Sequence, residues 1–494
     1  TGLVVILTFV YWYLTKNKNH WTSRNVPGPS AKLFGHLTSF LTQSRFPAYE
    51  IDEIYKEYKS KHLFIGIFSL NQPQIVLLAP ELIKDVLIRK FQNFHDNEFN
   101  DFTNKDVDPL LGRNPFMLTG DEWKEKRTEI TPAFTTNRIK AMYPLMEDVA
   151  RKLTNYVQSE AKIGPIEATE MSAKYTTDVV SNCIFAVDAE SFVKRENNQQ
   201  PTIREMGRLL MAPSTSFFVY SIAITFLPFI QKIYRKPFIS KKLEIFFINL
   251  MKDALKYRQD NGINRTDYLE YLISLKEKKN ISELDMAAHT VTFFIDGFET
   301  SSIAISFILY EIAKNQDAQQ RLREEIQKSL DSNGNIDYDV LTELPYLNQV
   351  NHESLRLWPP AAFLNKLCTK ACEIELEPGK NIKFDRKTSV LIPIWSIHRD
   401  ERFYENPNQF NPDRFADDKL KMYKEAGQYL SFGDGPRICL GMRFALTQIK
   451  CAIYNVVKEY QLSVNSKTVE PIVMNAKEFL TKAKGGLWID YKKI

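Results

Sequence analysis

A tight turn that delivers one cysteine to the start of a long helical pattern is the feature that most limits how this chain can fold. Residues 432–441 read FGDGPRICLG, and Gly433, Gly435 and Pro436 force a narrow loop. The following run, MRFALTQIKCAIYNVV, has helical periodicity. Cys439 is therefore expected at a helix amino terminus, where free N–H groups favour a thiolate. The loop alone fits a buried structural cysteine as well as a metal ligand.

Charge and cysteine content exclude several classes of protein. The 65 basic and 60 acidic residues leave a net charge of +5, which is too balanced for a chain that neutralises many phosphates, so no nucleic-acid partner is expected. Five widely spread cysteines favour a reducing location without a disulfide framework. The pair Cys368 and Cys372 lacks the second ligand pair that a zinc site needs.

The amino-terminal residues resemble a membrane anchor. Residues 2–14, GLVVILTFVYWYL, carry no charge, and Lys16, Lys18 and Arg24 follow. A spanning helix needs about 20 residues, so we expect this run to be part of a longer anchor. The basic flank predicts that the bulk of the protein lies in the cytosol. The alternative, a cleaved signal peptide, lacks a small-residue cleavage site. We therefore divide the chain into an anchor with its flank, 1–24, and one large domain, 25–494.

Periodicity in the rest of the chain predicts a mainly α fold with a small β region. Helical patterns cover 49–59, 142–187 and 282–330, and the last of these begins with a capping-box pattern, Ser282 followed by Asp285. Two strands joined by a turn are expected within 62–78, and further strands within 373–394 and 462–491. The apolar run 216–237 fits either a second membrane contact or a buried pair of core helices.

The cysteine loop resembles the haem-binding loop of the cytochrome P450 family. The resemblance rests on one spacing, Phe432-x2-Gly435-x-Arg437-x-Cys439-x-Gly441. It implies that Cys439 ligates the iron and that the other four residues shape or bind the cofactor side of the loop.

Two further motifs agree with this resemblance in order and spacing. Glu353-x2-Arg356 and the downstream run NPDRF, with Arg414, resemble the Glu-Arg-Arg structural network of the family. Trp123-x3-Arg127 resembles the helix pair that binds a haem propionate.

Arg437 matches the arginine that binds a propionate from the cysteine side. Guanidinium groups suit carboxylates because they offer a planar fork of donors. Lys366 stands where another propionate-binding arginine is usual, and it keeps the charge but loses the fork.

The run Asp296-Gly297-Phe298-Glu299-Thr300 resembles the distal, oxygen-activating helix of the family. The resemblance implies that Thr300 and Glu299 relay protons and that Asp296 and Gly297 lie beside the cofactor. Asp296 replaces a residue that is usually small. One turn before Thr300, such a carboxylate must be protonated, find a donor or react. The fatty-acid-hydroxylating branch carries a glutamate here that becomes esterified to a haem methyl.

The resemblance, which covers nearly the whole chain, implies a cytochrome P450 fold preceded by an anchor in the endoplasmic reticulum membrane. It implies haem b and electrons from NADPH through a separate reductase, with cytochrome b5 as an optional second donor. We expect the reductase to dock near Lys124, Lys126, Arg443 and Lys450.

The expected reaction is insertion of one atom of O2 into a small hydrophobic substrate: a xenobiotic, insecticide, plant toxin, steroid or fatty acid. The runs FFIDGFETSS and LTGDEWKEKRTEITPAFT look most like insect members that handle foreign compounds. A haem-thiolate isomerase and a non-catalytic haem sensor are the alternatives.

Overall fold

The computed structural model describes residues 2–98, 103–193, 201–211, 214–227, 229–263, 265–377 and 380–494. The helices in this part of the chain are α1 (Gly2–Thr15), α2 (Ser39–Thr42), α3 (Pro47–Tyr58), α4 (Pro80–Lys84), α5 (Gly120–Ile130), α6 (Thr136–Glu160), α7 (Ala168–Phe185), α8 (Ile203–Met211), α9 (Thr215–Phe226), α10 (Ile230–Ile233), α11 (Lys241–Asn261), α12 (Tyr268–Lys279), α13 (Glu283–Lys314), α14 (Gln316–Ser329), α15 (Tyr338–Glu343), α16 (Pro345–Leu357), α17 (Ile394–Ile397), α18 (Lys419–Glu425) and α19 (Met442–Glu459).

The strands are short and form three small sheets. They are β1 (Phe64–Ser69), β2 (Gln72–Leu77), β3 (Ile166–Glu167), β4 (Leu364–Leu367), β5 (Cys372–Glu377), β6 (Lys380–Phe384), β7 (Ser389–Ile392), β8 (Tyr460–Val464) and β9 (Trp488–Lys493). The sheets have the orders β1-β2-β7-β4, β3-β9-β8 and β5-β6. Only the β2–β7 pairing is parallel among those described. The mainly α architecture with a small β region is confirmed.

Helix α13 forms the centre of the helical body. Ser282 accepts the N–H of Asp285 while the Asp285 carboxylate accepts the N–H of Ser282, so the expected capping box is present. The helix packs against α7 and α19, and its residues are buried on all sides from Ser301 to Ala313. It is the one helix in the described ranges that is long and apolar enough to cross a membrane. Since 78% of its most apolar window is buried in the protein, it is a core helix.

A buried ion-pair network joins α16 to the segment before α18. The Glu353 carboxylate accepts hydrogen bonds from Arg356 Nε at 2.7 Å and from Arg414 Nε at 3.2 Å. Glu353 and Arg356 are both 0% exposed. Arg356 also donates to the carbonyl oxygens of His398 at 2.6 Å and Pro407 at 2.7 Å. Its N–H groups are thus shared between the Glu353 carboxylate and the backbone. The three residues of the Glu-Arg-Arg pattern therefore meet in space.

The last turn of α1 and the segment that follows it are each hydrogen-bonded to the first sheet or its connecting turn. Asn71 Nδ2 donates to the carbonyl of Tyr13 at 2.8 Å, and Trp21 Nε1 donates to the carbonyl of Ile67 at 2.7 Å. A Cβ at Gly66 would lie 2.4 Å from the Trp21 ring, so the indole fits only against a glycine. Most of α1 itself is exposed.

The run 216–237 does not form a buried pair of core helices. It contains most of α9 and all of α10, and only Phe217 and Ile224 among its described apolar residues are 6% exposed or less. Val219 is 59% and Ile233 80% exposed. Since α9 is apolar around its whole circumference, one face packs on the protein while the rest remains uncovered. The core alternative is wrong for this run.

Candidate active site

The cysteine loop is held by a backbone hydrogen bond and by a glycine that cannot be replaced without a clash. The N–H of Cys439 donates to the carbonyl of Phe432 at 2.9 Å, which closes the loop on itself. Gly435 has a φ of +70°, and a Cβ there would lie 2.1 Å from the carbonyl oxygen of Leu87. These constraints fix the loop that ends just before α19. Cys439 lies three residues before Met442, the first residue of that helix.

The Cys439 side chain is accessible to water-sized molecules, although burial by protein dominates the shift of its pKa. We infer from these two facts that the thiol borders an internal cavity. Burial first and the Asp296 carboxylate second raise the pKa of Cys439 to about 11, although the N–H of Gly441 and the Arg127 guanidinium oppose this shift. The helix terminus therefore does favour the thiolate, but burial outweighs it. Coordination to a cation overcomes such a penalty, because a coordinating thiol is deprotonated outright.

Helix α13 presents Asp296 and Thr300 to the same cavity. The Thr300 hydroxyl donates to the carbonyl of Asp296 at 2.8 Å, one turn earlier, and the helix continues unbroken. The Asp296 side chain is accessible, yet burial raises its pKa to about 7. The Asn114 side chain opposes this shift by donating to the carboxylate. Because Asn114 Oδ1 accepts the N–H of Phe116 at 2.7 Å, its amide nitrogen is left to face Asp296.

Gly297 and Glu299, between these two residues, make contacts away from the cysteine loop. A Cβ at Gly297 would lie 3.3 Å from the Val180 side chain of α7, and its carbonyl accepts Gln448 Nε2 at 3.1 Å. Glu299 is 5% exposed, and its carboxylate forms an ion pair with Lys482. The structure thus places Gly297 at the α7–α13 contact and Glu299 beside a loop near the carboxyl terminus.

Three basic residues, Arg127, Arg437 and Lys366, gather near Cys439. Arg127 donates to the carbonyl of Ile438 at 2.6 Å, and Arg437 lies 3.4 Å from the Asp96 carboxylate. Lys366 is 4% exposed and donates to Asn97 Oδ1 at 2.9 Å. Burial lowers the pKa of Lys366 to about 7, and repulsion from Arg437 adds to this shift. Burial likewise lowers the pKa of Arg437 to about 10, with a further contribution from Arg127.

Trp123 is the platform for this basic cluster. The guanidinium carbon of Arg437 lies 4.2 Å from the centre of the Trp123 ring, a cation–π geometry. Trp123 is 7% exposed and lies one helical turn before Arg127 on α5. The ring of Phe91 covers it at 5.6 Å between ring centres.

The residues around the cavity fit a haem. Cys439 supplies a thiol on one side, and α13 supplies Asp296 and Thr300 on the other. Lys366 is buried, and Arg127 and Arg437 are partly buried. Within the described part of the chain, Asp96 is the carboxylate that acts on Lys366 and Arg437. Two guanidinium groups and a lysine whose pKa is lowered by burial and by Arg437 favour a ligand that brings further negative charge, as two propionates would.

Sequence reasoning missed the residues that hold the predicted ones in place. Asn114, Asn97 and Asp96 all lie in loops before α5 and carry no periodic or motif signal. Lys482 is 183 positions after Glu299, so no local pattern could pair them. These contacts follow from the packing of distant loops onto α13 and β4.

The expected reductase surface is smaller than predicted. Lys450 is 4% exposed, and its ammonium donates to the carbonyl of Thr342 at 2.8 Å, so its assignment to the surface was wrong. Lys126 forms an ion pair with Glu129 at 2.9 Å. Lys124 and Arg443 are exposed. Lys450 was misassigned because α19 is buried on nearly all sides around it.

Comparison with known proteins gives a consistent result over the whole chain. The family model "Cytochrome P450" matches residues 26–489. The chain is 35% identical over 504 residues to "Probable cytochrome P450 28a5" of Drosophila melanogaster, covering 100% of this chain and 99% of the relative. It is 32% identical to "Cytochrome P450 6a9" of the same species over 511 residues, covering 100% and 99%. It is 30% identical to "Cytochrome P450 6k1" of Blattella germanica over 520 residues, covering 100% and 97%. The chain therefore belongs to the cytochrome P450 family.

Proposed function

We propose that this monooxygenase inserts one atom of O2 into a small hydrophobic substrate that binds between α13 and the cysteine loop. Membership of the family makes the chain a haem-dependent oxidoreductase with a cysteine thiolate as iron ligand. The observation that carries the proposal is that Asp296 of α13 and Arg127 of the basic cluster both act electrostatically on the Cys439 thiol, so that α13 and the basic cluster lie close to the cysteine. Cys439 is the ligand, Arg127, Arg437 and Lys366 hold the propionates, and Phe432, Gly435 and Gly441 shape the loop.

The haem, when bound, supplies an iron whose thiolate ligand donates electron density and so favours O–O bond cleavage. The chain's own residues exclude water, orient the substrate and move protons. Trp123 and Phe91 keep the basic cluster rigid, and the N–H of Gly441 stabilises charge on sulfur. A fixed network of donors around the thiolate needs no rearrangement during turnover.

Thr300 and Glu299 form the proton relay. The Thr300 hydroxyl donates its hydrogen to the Asp296 carbonyl, so its oxygen lone pairs remain for a donor in the cavity. Glu299 is the adjacent residue and carries an acid on the adjoining face of the helix. A hydroxyl and a carboxylate in sequence can pass a proton from the protein interior to the cavity.

Asp296 is held as a hydrogen-bonded acid. The Asn114 amide gives it a donor, and its raised pKa of about 7 leaves the neutral acid available near physiological pH. This favours a non-covalent role over an ester with a haem methyl. We therefore expect acid denaturation after turnover to release unmodified haem, and haem that stays on the wild type but not on Asp296→Ala would contradict this.

The chain is attached to the endoplasmic reticulum membrane by α1, with the body in the cytosol. Val5, Leu7 and Tyr11 on α1 are 68%, 58% and 60% exposed, which suits a lipid environment. The uncovered face of α9 and α10 forms a second apolar surface. A hydrophobic substrate is concentrated at such a membrane, and a reductase on the same membrane delivers the NADPH-derived electrons to the side that carries Lys124 and Arg443.

The test combines a spectrum with electron accounting. Cys439→Ser is expected to lose the red-shifted carbon monoxide band of a thiolate-ligated haem, because a hydroxyl does not replace the sulfur donor. A serine variant that keeps this band refutes the ligand assignment. In the wild type with reductase, candidate substrates should increase NADPH consumption and yield hydroxylated product. Haem binding without NADPH consumption by any substrate would favour the sensor alternative, and turnover without NADPH the isomerase alternative.

A further inference from the structure

An ion pair links α13, the proton-relay helix, to a hairpin near the carboxyl terminus, residues 474–483, whose ends meet at the bridge between Met474 and Ala483. Lys482 contacts the Glu299 carboxylate, and in the described ranges it is the one basic residue within ion-pair distance of that acid. Glu299 and Lys482 are 6% and 23% exposed at their side chains, so the contact is largely removed from water. Burial opposes the charged ammonium, but the two carboxylates beside it, Glu299 first and Glu478 second, raise the pKa of Lys482.

The backbone of Lys482 is fixed from two directions. Its carbonyl accepts the N–H of Asn475 at 2.8 Å across the hairpin. The preceding residue, Thr481, donates its N–H to the carbonyl of Pro360 at 3.0 Å and its hydroxyl to that of Pro359 at 2.6 Å. Lys482 therefore extends from a rigid support, and its position is set by the segment that follows α16.

The same hairpin approaches the segment 361–364 after α16, which we expect to form one wall of the substrate pocket. The rings of Phe479 and Phe363 meet edge to face at 5.7 Å between ring centres, and Phe363 lies in the segment 361–364 that leads from α16 into β4. Phe479 is 49% exposed. A ligand that touches this aromatic pair therefore acts on a hairpin whose lysine holds the relay acid.

Stability alone is a poor explanation for this ion pair. Desolvation of two charges largely cancels their attraction, so a buried pair is often no more stabilising than apolar residues of the same size. The pair does fix the direction of one carboxylate, and that carboxylate precedes Thr300. A fixed proton donor or acceptor is valuable because proton transfer requires hydrogen-bond distance and alignment.

We infer that Lys482 is a positioning residue for proton delivery: it holds the Glu299 carboxylate in the relay and makes the relay depend on the substrate-side hairpin. This inference rests on the proposed role of Glu299. Lys482 itself does not touch the cavity-facing hydroxyl of Thr300 in this arrangement. Lys482 affects proton delivery only through Glu299, and this role requires a positive charge at position 482.

The experiment compares Lys482→Met, Lys482→Arg and Glu299→Gln in the full-length holoenzyme with reductase. Lys482→Met should lower product formed per NADPH by about tenfold, within the range of a lost acid–base contribution. Lys482→Arg should restore the yield to within about twofold, because the cation returns. Glu478→Gln is the matched control: it removes the exposed partner, 3.4 Å from Lys482, and should leave the yield unchanged.

Infrared difference spectroscopy gives a readout that does not depend on turnover. In Lys482→Met, loss of the cation beside a buried carboxylate should favour the protonated acid, so the spectrum should gain a carboxylic-acid C=O band beyond those of the wild type, and this added band should be missing from Lys482→Met/Glu299→Gln. If Glu299→Gln lowers the yield but Lys482→Met neither lowers it nor produces the band, the inference is wrong and the proposed function stands. If Glu299→Gln forms as much product per NADPH as the wild type, Glu299 has no role in the relay, and the inference is wrong as well.

Discussion

Removing the charge of Glu353 should destabilise the protein far more than removing an exposed carboxylate nearby. In Glu353→Gln the side chain keeps its length but no longer neutralises Arg356 and Arg414. Glu353 and Arg356 have side chains that are 0% exposed, and Arg414 is 8% exposed at its side chain. The variant therefore leaves two buried guanidinium groups without their anion.

The magnitude follows from the hydrogen bonds that the Glu353 carboxylate accepts. They come from Arg356 Nε at 2.7 Å, Arg356 Nη2 at 2.8 Å, Arg414 Nε at 3.2 Å and the N–H of Asn411 at 2.8 Å. A glutamine amide can accept at one atom only, and its NH2 group would face donors. Breaking a buried pair in this way costs about 3–5 kcal/mol.

Asp413→Asn is the matched control because it lies in the same segment as Arg414. Asp413 accepts Arg321 at 2.8 Å, but the two side chains are 55% and 54% exposed. Such a pair contributes about 1 kcal/mol or less, since water screens it. The assay is the urea midpoint from tryptophan fluorescence, with haem content measured in parallel. Equal midpoint shifts for the two variants would refute the reasoning.

Three further predictions concern the site and its surface. Thr300→Ala should raise NADPH consumed per product, because the hydroxyl that passes the proton is gone, whereas Thr300→Ser should not; an unchanged ratio in the alanine variant removes Thr300 from the relay. Because burial raises the pKa of Asp296 from 3.8 to about 7, the folded protein holds this proton more tightly than the unfolded chain. The wild type should therefore lose stability relative to Asp296→Asn as the pH rises from about 4 to 7, with no further change above, and a pH-independent difference in thermal midpoint would contradict this. Charge reversal at Lys124 or Arg443 should slow reductase-supported turnover most at low salt, and equal rates at all ionic strengths would exclude this surface.

Local sequence patterns predicted the elements whose cause is local. The capping box of Ser282 and Asp285 uses residues three apart, and α13 begins where it predicts. The turn around Gly435 needs a positive φ and the absence of a Cβ, which only glycine supplies readily. Strands β1 and β2 fall within the predicted 62–78 because a turn separates two apolar runs.

Features that depend on distant packing could not be predicted in the same way. Lys450 has the sequence environment of a surface residue, but α15 and its Thr342 carbonyl cover it. Asn114 meets Asp296 only because the loop before α5 folds over α13. The pairing of Glu299 with Lys482 depends on how the hairpin around Lys482 packs against α13, and the residues of that hairpin carry no functional sequence pattern.

The attachment of α1 to the first sheet affects how the substrate concentration in an activity assay should be expressed. The hydrogen bond from Asn71, between β1 and β2, to Tyr13 holds the last turn of α1, and the bond from Trp21 to Ile67 holds the segment that follows, so the helix is not joined to the body by a flexible tether. If α1 lies in the bilayer, the whole body then keeps one tilt, with the uncovered face of α9 and α10 at a constant depth. Substrate entering through that face is drawn from lipid, so an apparent KM should scale with the volume of lipid in the assay rather than with the volume of water.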